Sequence, residues 1–403
     1  MSVWRLAWTY LWARPLSAAL NIVLLTLGLT VVGAVLQAQA QVERALQRDL
    51  AGIDLVVGAK GSPMQLILAG VYHLDVPPGN IPLAEVERLQ QHPQVERLIP
   101  LSLGDNIDGF RIVGTTPDYI THYGATLATG AVWTAPMQAV LGAEVARATG
   151  LKLGDGFYGA HGLGAGGAVH EEVAYRVSGV LAPCACVLDR LALTATESVW
   201  QVHDEMHGAS EMDAQDLVAL QADREVTLAL IRYSTPLAAV TFPRAVNATE
   251  RLQAAAPAME ITRLLSMLGV GTRAVQALGV VLLLVAALSV LVALWQALRE
   301  RRADIALMRL LGVRPARLAG LLLAEALWLA LLSLLLAVAL SGGLTALLGF
   351  VLAQKQSLLL SGSWAWSVWW PVPLLALAVA LLAALLPAVA AYRQDVHTLL
   401  SVR

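Results

Sequence analysis

Arg299-Glu300-Arg301-Arg302-Ala303-Asp304-Ile305-Ala306-Leu307-Met308-Arg309-Leu310-Leu311-Gly312-Val313-Arg314-Pro315-Ala316-Arg317 is a basic island between two long apolar stretches, Ala274–Leu298 and Leu318–Ala353. It holds six arginines against Glu300 and Asp304, and it is too short to fold alone. Its neighbours are each long enough for a helix that crosses a hydrocarbon core, which takes about 20 residues. The island therefore reads as a loop between two spans, and its charge says which side it is on. Basic residues concentrate on the cytoplasmic face of short membrane loops.

Two further apolar stretches, Pro15–Leu36 and Leu358–Tyr392, bring the spans to four. The first two spans carry no charge, the third only Glu325, and the fourth none. The third is longer than a perpendicular crossing needs, so it must tilt, break near Gly342-Gly343 or run past the surface. The whole chain of 403 residues is 57% hydrophobic and 14% charged. Soluble domains run at about 45–50% and about 25%. Residues 37–273 differ: 16 Lys/Arg face 25 Asp/Glu there, with seven of the eight histidines. By contrast, segments 1–14, 299–317 and 393–403 carry 10 Lys/Arg against Glu300, Asp304 and Asp395. The asymmetry puts both termini in the cytoplasm and an aqueous domain of residues 37–273 outside. Ala38-Gln39-Ala40 looks like a processing site, but secretory apolar cores run about 7–15 residues. This one runs 22, so an uncleaved anchor is expected.

Trp4, Trp8 and Trp12 recur on one helical face ahead of the first span, with Arg5 and Arg14 beside them. That pattern predicts an interfacial elbow helix over residues 1–14. Trp364, Trp366, Trp369 and Trp370 at the start of the fourth span predict an indole belt at the outer headgroups. Between the first two spans, strand-like runs at Asp54–Val57, Val95–Leu101, Phe110–Val113 and Val173–Leu181 alternate with helical stretches at Leu83–Gln91 and Leu141–Thr149. Turn signals fall at Gly104-Asp105, Gly154-Asp155-Gly156 and Pro183. The expected fold is four transmembrane helices plus an α/β domain inserted between helices 1 and 2, with residues 37–53 and 249–268 as stalks.

Nucleotide chemistry is not encoded. The runs at Gly159–Gly167 and Gly58–Ser62 lack the Gly-Lys-Ser/Thr ending of a phosphate loop at the required spacing. No Ser/His/Asp set stands out, and basic patches with interleaved aromatics, which nucleic acid needs, are missing from the acidic domain. On a helix, Ile305, Met308 and Leu311–Gly312 fall on one side, with Arg301, Arg302, Asp304 and Arg309 placed around them. This suits a short helix docking into a cleft on a soluble partner. Glu325 lies about 12 Å into the third helix at 1.5 Å per residue. A charge at mid-membrane costs about 2.5–3.5 kcal/mol. Two roles fit it, a structural ion pair or a part in coupling.

The run Arg302–Arg317, continuing into Leu321-Leu322-Leu323-Ala324-Glu325-Ala326, resembles the basic Ile/Leu-Arg-x-Leu-Gly signature of FtsX/MacB/LolC–LolE-type permeases. Pro387-Ala388-Val389-Ala390-Ala391-Tyr392-Arg393-Gln394-Asp395-Val396 resembles that family's closing segment, without its proline before the valine. Asp54–Pro63 and Arg111–Tyr119 resemble a MacB-like periplasmic domain. The resemblance implies a non-enzymatic ABC transporter permease of the bacterial inner membrane that transmits motion to its periplasmic domain. Its implied partners are two copies of an ATPase subunit, which hold the ATP and Mg, a second permease copy, a periplasmic adaptor or lipoprotein, and membrane lipid. Export or release of a hydrophobic compound, peptide or lipoprotein would follow. An FtsX-like signalling module, or a zinc-linked permease, is the alternative.

Zinc enters through Cys184-Ala185-Cys186 and His203-Asp204-Glu205-Met206-His207. His203 and His207 share a helical face and two thiolates complete a tetrahedron. Cys-x-Cys is not the usual zinc-knuckle spacing, and an oxidising exterior leaves a local disulfide or free thiols as the other readings. The zincin motif needs Glu directly after the first His, where Asp204 stands.

Overall fold

The computed structural model describes residues 2–162, 173–206, 223–354 and 366–393. The chain divides into two compact units, Arg44–Leu265 and Met1–Glu43 with Ser266–Arg403. Helix α1 (Val3–Trp12) is followed by α2 (Pro15–Leu50). The expected first span and its stalk are thus one unbroken helix.

The unit Arg44–Leu265 follows as β1 (Leu55–Ala59), α3 (Pro63–Gly70), β2 (Ile81–Pro82), α4 (Leu83–Gln90), β3 (Val95–Ile107), β4 (Phe110–Thr115) and α5 (Asp118–His122). Next come β5 (Leu127–Gly130), β6 (Gln138–Leu141), α6 (Ala143–Thr149), β7 (Gly156–Phe157), β8 (Ala160–His161), β9 (Tyr175–Leu181), a 3-10 turn (Val187–Arg190), β10 (Leu191–Ala195) and α7 (Thr196–Met206). It closes with β11 (Glu225–Val226), β12 (Leu228–Tyr233), α8 (Ala238–Asn247) and β13 (Leu252–Ala255). The main sheet has the order β13-β1-β12-β3-β4-β10-β6-β9-β5. Strand β3, an inner strand, is where its two halves join. Val95–Leu101 pair with β12, and residues from Ser102 to Ile107 pair with β4.

One apolar core lies on each side of that junction. Leu55, Val57, Ile231, Phe242 and Leu252 belong to the first, and Ile112, Ala139, Leu141, Tyr175 and Val177 to the second. The turn expected at Gly104-Asp105 is absent, because β3 runs through it. The polar residues there are satisfied instead by the neighbouring strand: the Asn106 amide donates to the carbonyls of Ala160 and Gly162 at 2.8 and 3.0 Å, and His161 Nδ1 lies 3.2 Å from buried Asp105. The pairing with β4 becomes irregular at the same place, between Leu103 and Asn106, as a bulge would make it.

The last turns of α2 are tied into this unit. Tyr72 donates its hydroxyl to the Leu46 carbonyl at 3.0 Å, and Tyr123 donates to the Asp49 carbonyl at 2.8 Å, one of the carbonyls a helix end leaves without an internal partner. Tyr119 packs edge-on against Tyr123 and shares a 3.0 Å hydrogen bond with His73 Nε2. Burial, with Arg111 close by, holds the His73 imidazole well below its ordinary 6.5. The folded state keeps this ring neutral while the unfolded chain protonates it below about pH 6.5, so its linkage costs stability as pH falls below that point.

The other unit continues with α9 (Pro257–Glu300), α10 (Arg302–Leu310), α11 (Pro315–Gln354), α12 (Trp366–Trp369) and α13 (Pro371–Arg393). Among the described residues, α2, α9, α11 and α13 are the helices long and apolar enough to cross a membrane. Helix α11 runs unbroken through Gly342-Gly343. Lipid provides no hydrophobic drive for helices to associate, so close packing of small residues has to do it. Val372, Ala376, Ala380, Ala383, Ala384 and Ala388 are the buried face of α13. A Cβ added at Gly28 would come within 2.8 Å of Leu283, and one at Gly279 within 2.8 Å of Val32, so α2 and α9 meet through their glycines. Hydroxyls pair across helices: half-buried Ser289 donates to Asn21 at 2.7 Å and buried Ser333 to the Ile22 carbonyl at 3.3 Å.

The indole belt needs correction at one position. Trp369 is 1% exposed and sits against Gly33, whose added Cβ would lie 3.0 Å from its ring nitrogen. It fills a notch in the bundle, while Trp370 is exposed as anticipated and Trp364 lies outside the described residues.

Two outcomes test this account. A Cβ at Gly142 would fall 2.1 Å from the Leu188 carbonyl oxygen, a backbone atom that cannot rotate away. Gly142→Ala is expected to cost about 1–3 kcal/mol, as core overpacking does, read as a lower thermal midpoint of the purified chain. His73→Gln should flatten the decline of unfolding free energy between about pH 6.5 and 5 by up to one proton, measured by denaturant titration at several pH values.

Candidate functional site at the basic end of the helical unit

Arg301 sits at the break between α9 and α10, with φ −89° and ψ 16°. Its guanidinium makes three contacts with two other helices. Nη1 donates to Glu325 Oε1 on α11 at 2.6 Å, Nη2 donates to the Tyr10 carbonyl on α1 at 3.1 Å, and the group stacks 4.0 Å over the Tyr10 ring. Glu325 is 3% exposed. Beside this pair, Arg14 and Glu300 form a second, more open ion pair.

Helix α1 is held to α11 by packing as well. Ala7 is buried with Leu321 and Ala324, Trp328 donates its indole N–H to the Trp4 carbonyl at 3.3 Å, and the Trp8 and Trp328 rings lie 4.9 Å apart. The tryptophan face is thus partly spent on Trp328, while Trp4 and Trp12 keep exposed ring surface.

The short helix α10 turns its apolar residues both ways. Ile305 and Met308 face inward, against Leu298, Leu318 and Leu322, and the gap left beneath them is only about 20 Å³, room for about one water. On the opposite face Leu307, Leu310 and Leu311 are 59%, 60% and 84% exposed, with Asp304 beside them. Gly312 ends the helix at φ 84°, a left-handed cap suited to glycine. This corrects the docking face read from sequence. Ile305 and Met308 are seating residues and Arg301 is tied inward, so only Asp304, Leu311 and Gly312 of the expected set stand free, with Arg309 half-buried. Arg302 opens α10, but its side chain is outside what is described. Tyr10, Leu307 and Leu310 were missed. The signal for the leucines was present, since a nine-residue helix apolar on two faces cannot bury both.

Of the four residues proposed for zinc, the structure describes the side chains of the two cysteines. Cys184 and Cys186 are joined to each other in a disulfide, which leaves no thiolate for a metal. His203 lies on α7 with its side chain outside the described set, and His207 lies outside the described residues.

Removing one partner of a buried ion pair leaves a charge stranded and costs about 3–5 kcal/mol, whereas replacing both by apolar groups is often neutral. Arg301→Met and Glu325→Leu are each expected to lower the thermal midpoint of the detergent-solubilised chain markedly. The double variant should recover most of that loss; a double variant as unstable as the sum of the singles would contradict the pairing.

Known proteins bear on this end of the molecule. The family model of the FtsX-like permease C-terminal domain matches residues 277–396. No curated protein matches the chain. Among solved structures, the periplasmic region of MacB from Actinobacillus actinomycetemcomitans aligns at 10% identity and a TM-score of 0.34 over 54% of this chain and 97% of that one. The extracellular domain of the noncanonic ABC-type transporter YknZ from Gram-positive bacteria aligns at 11% identity and a TM-score of 0.31, over 50% and 98%. The segment matched by the FtsX-like permease C-terminal model holds α10, Arg301, Glu325, α11, α13 and the second half of α9.

Proposed function

We propose that this chain is the permease subunit of an ABC transporter, driven by a separate ATPase that docks on the exposed face of α10. The observation that carries the reading is the run Leu307, Leu310 and Leu311, held open to solvent at the basic end of a helix whose other face is already seated. Burying a leucine side chain fully is worth about 1.5–3 kcal/mol. Three exposed on one turn and a half of helix form an anchor that needs a cleft. Asp304 and Arg309 provide charge at the rim.

In this reading the basic end faces the cytoplasm of a bacterial inner membrane, and the unit Arg44–Leu265 lies in the periplasm. Two copies of the chain sit on two ATPase subunits, which carry the ATP and Mg. Closure of the ATPases pushes α10, Arg301 passes the displacement to α1 and α11, and α2 carries it outward. The substrate moves by the motion of the outer unit, not through the bilayer. That accords with the spanning helices, whose polar residues Asn21, Ser289 and Ser333 are bonded to neighbouring helices instead of lining a path. A hydrophobic compound, peptide or lipoprotein would be exported or released, with a periplasmic adaptor or lipoprotein as further partner.

The test uses the chain co-expressed with its ATPase. Leu307→Ser with Leu311→Ser should leave the thermal midpoint of the permease unchanged and cut both complex recovery and permease-stimulated ATP turnover by about tenfold, the loss of about 1.4 kcal/mol. Ile305→Ala should instead lower the midpoint. Unchanged recovery and turnover in the double serine variant would remove α10 as the docking element.

A further inference from the structure

The segment between β9 and the Val187–Arg190 turn carries both cysteines of the chain, and they are bonded to each other. Between them Ala185 is held at φ 54°. For a residue with a side chain this left-handed conformation is disfavoured by the clash of Cβ with the backbone. Several contacts hold it there. Buried Asp189 accepts the N–H groups of Cys184 and Ala185 at 2.9 and 2.7 Å, and the Ala185 carbonyl accepts from the Arg48 guanidinium. Next along the chain, the Val187 N–H donates to Asp49 Oδ1 at 3.1 Å. Arg48 and Asp49 belong to the last turn of α2. The bridged loop is therefore a clasp on that turn, beside the hydrogen bond Tyr123 makes to it. Ala185 is exposed and both cysteines are only half-buried, which leaves the bridge open to a thiol from solution.

We propose that Cys184–Cys186 is a thiol–disulfide exchange site, opened by a dithiol reductant, and that opening it releases the end of α2 from the loop. The sulfurs are not equivalent. The Cys186 N–H donates to Cys184 Sγ at 3.2 Å, and such a bond stabilises a thiolate forming on that sulfur. The reductant's thiolate therefore attacks Cys186 Sγ, the S–S bond breaks, and the electron pair leaves on Cys184, which takes a proton. The reductant's second thiol loses its proton and attacks the mixed disulfide, freeing Cys186 to be protonated. The chain gains two electrons and two protons, and the reductant departs as its own disulfide. With the ring open, only the Asp189 and Arg48 contacts oppose the return of Ala185 from its disfavoured left-handed conformation. Its N–H leaves Asp189, and its carbonyl leaves Arg48.

The experiment uses the full chain in lipid nanodiscs, without an ATPase, so its outcome is independent of the transport reading. Dithiothreitol is the reductant, iodoacetamide counts free thiols by mass, and amide hydrogen exchange follows peptides covering 44–50 and 183–190. Reduction under native conditions should expose both cysteines to alkylation and speed exchange about tenfold in both peptides. The Cys184→Ser/Cys186→Ser variant should show the fast rates without reductant and no response to it. The proposal is overturned if native reduction frees no thiol, or if the fully reduced wild-type chain exchanges at the oxidised rate. The wild-type arm decides alone should the serine variant fail to fold.

Discussion

A guanidinium that has lost most of its water has to be surrounded by acceptors, and at Arg301 those acceptors come from two other helices. That single requirement organises the basic end. The arginine sits where α9 breaks into α10, so the helix break, the elbow α1 and the start of α11 are fixed relative to one another by one side chain. Arginine suits the task because its planar fork offers several donors and a face for stacking, and the contacts to Glu325 and the Tyr10 ring use both. Lysine would offer a point charge without the stacking face.

The seating of α10 follows from that arrangement. Once Arg301 is turned inward, the period of a helix carries Ile305 and Met308 inward with it and leaves Leu307, Leu310 and Leu311 outside. A basic island could be read as charge presented to a partner. The structure instead turns Arg301 inward, pairs the island's Glu300 with Arg14 from the turn after α1, and leaves the apolar leucines as what the helix displays.

Much of this was legible before the structure. Four spans, an inserted α/β domain and the elbow helix follow from hydropathy, charge segregation and the Trp4-Trp8-Trp12 spacing, because each is a pattern averaged over many residues. What escaped was set by single contacts. The phase of α10 depends on which face α9, α11 and α13 cover, and its sequence is apolar on both. Trp369 looked like its neighbour Trp370, and only the notch at Gly33 distinguishes them. The polar Gly104-Asp105 pair had the composition of a turn, yet its polarity is answered across the sheet by β8. Glu325 announced itself as an oddity in an apolar helix, but not that its partner would be 24 residues earlier in the same chain.

Strand β3 gives the unit Arg44–Leu265 a mechanical character. Its first half is bonded to β12 and its second half to β4, so one continuous backbone belongs to both halves of the sheet. Antiparallel ladders hold strands by bonds perpendicular to their length. A load applied along β3 therefore strains many of those bonds in shear together, where a load peeling an edge strand would open them in turn. The longest strand of the sheet thus shares an axial force among many bonds before any one of them must yield.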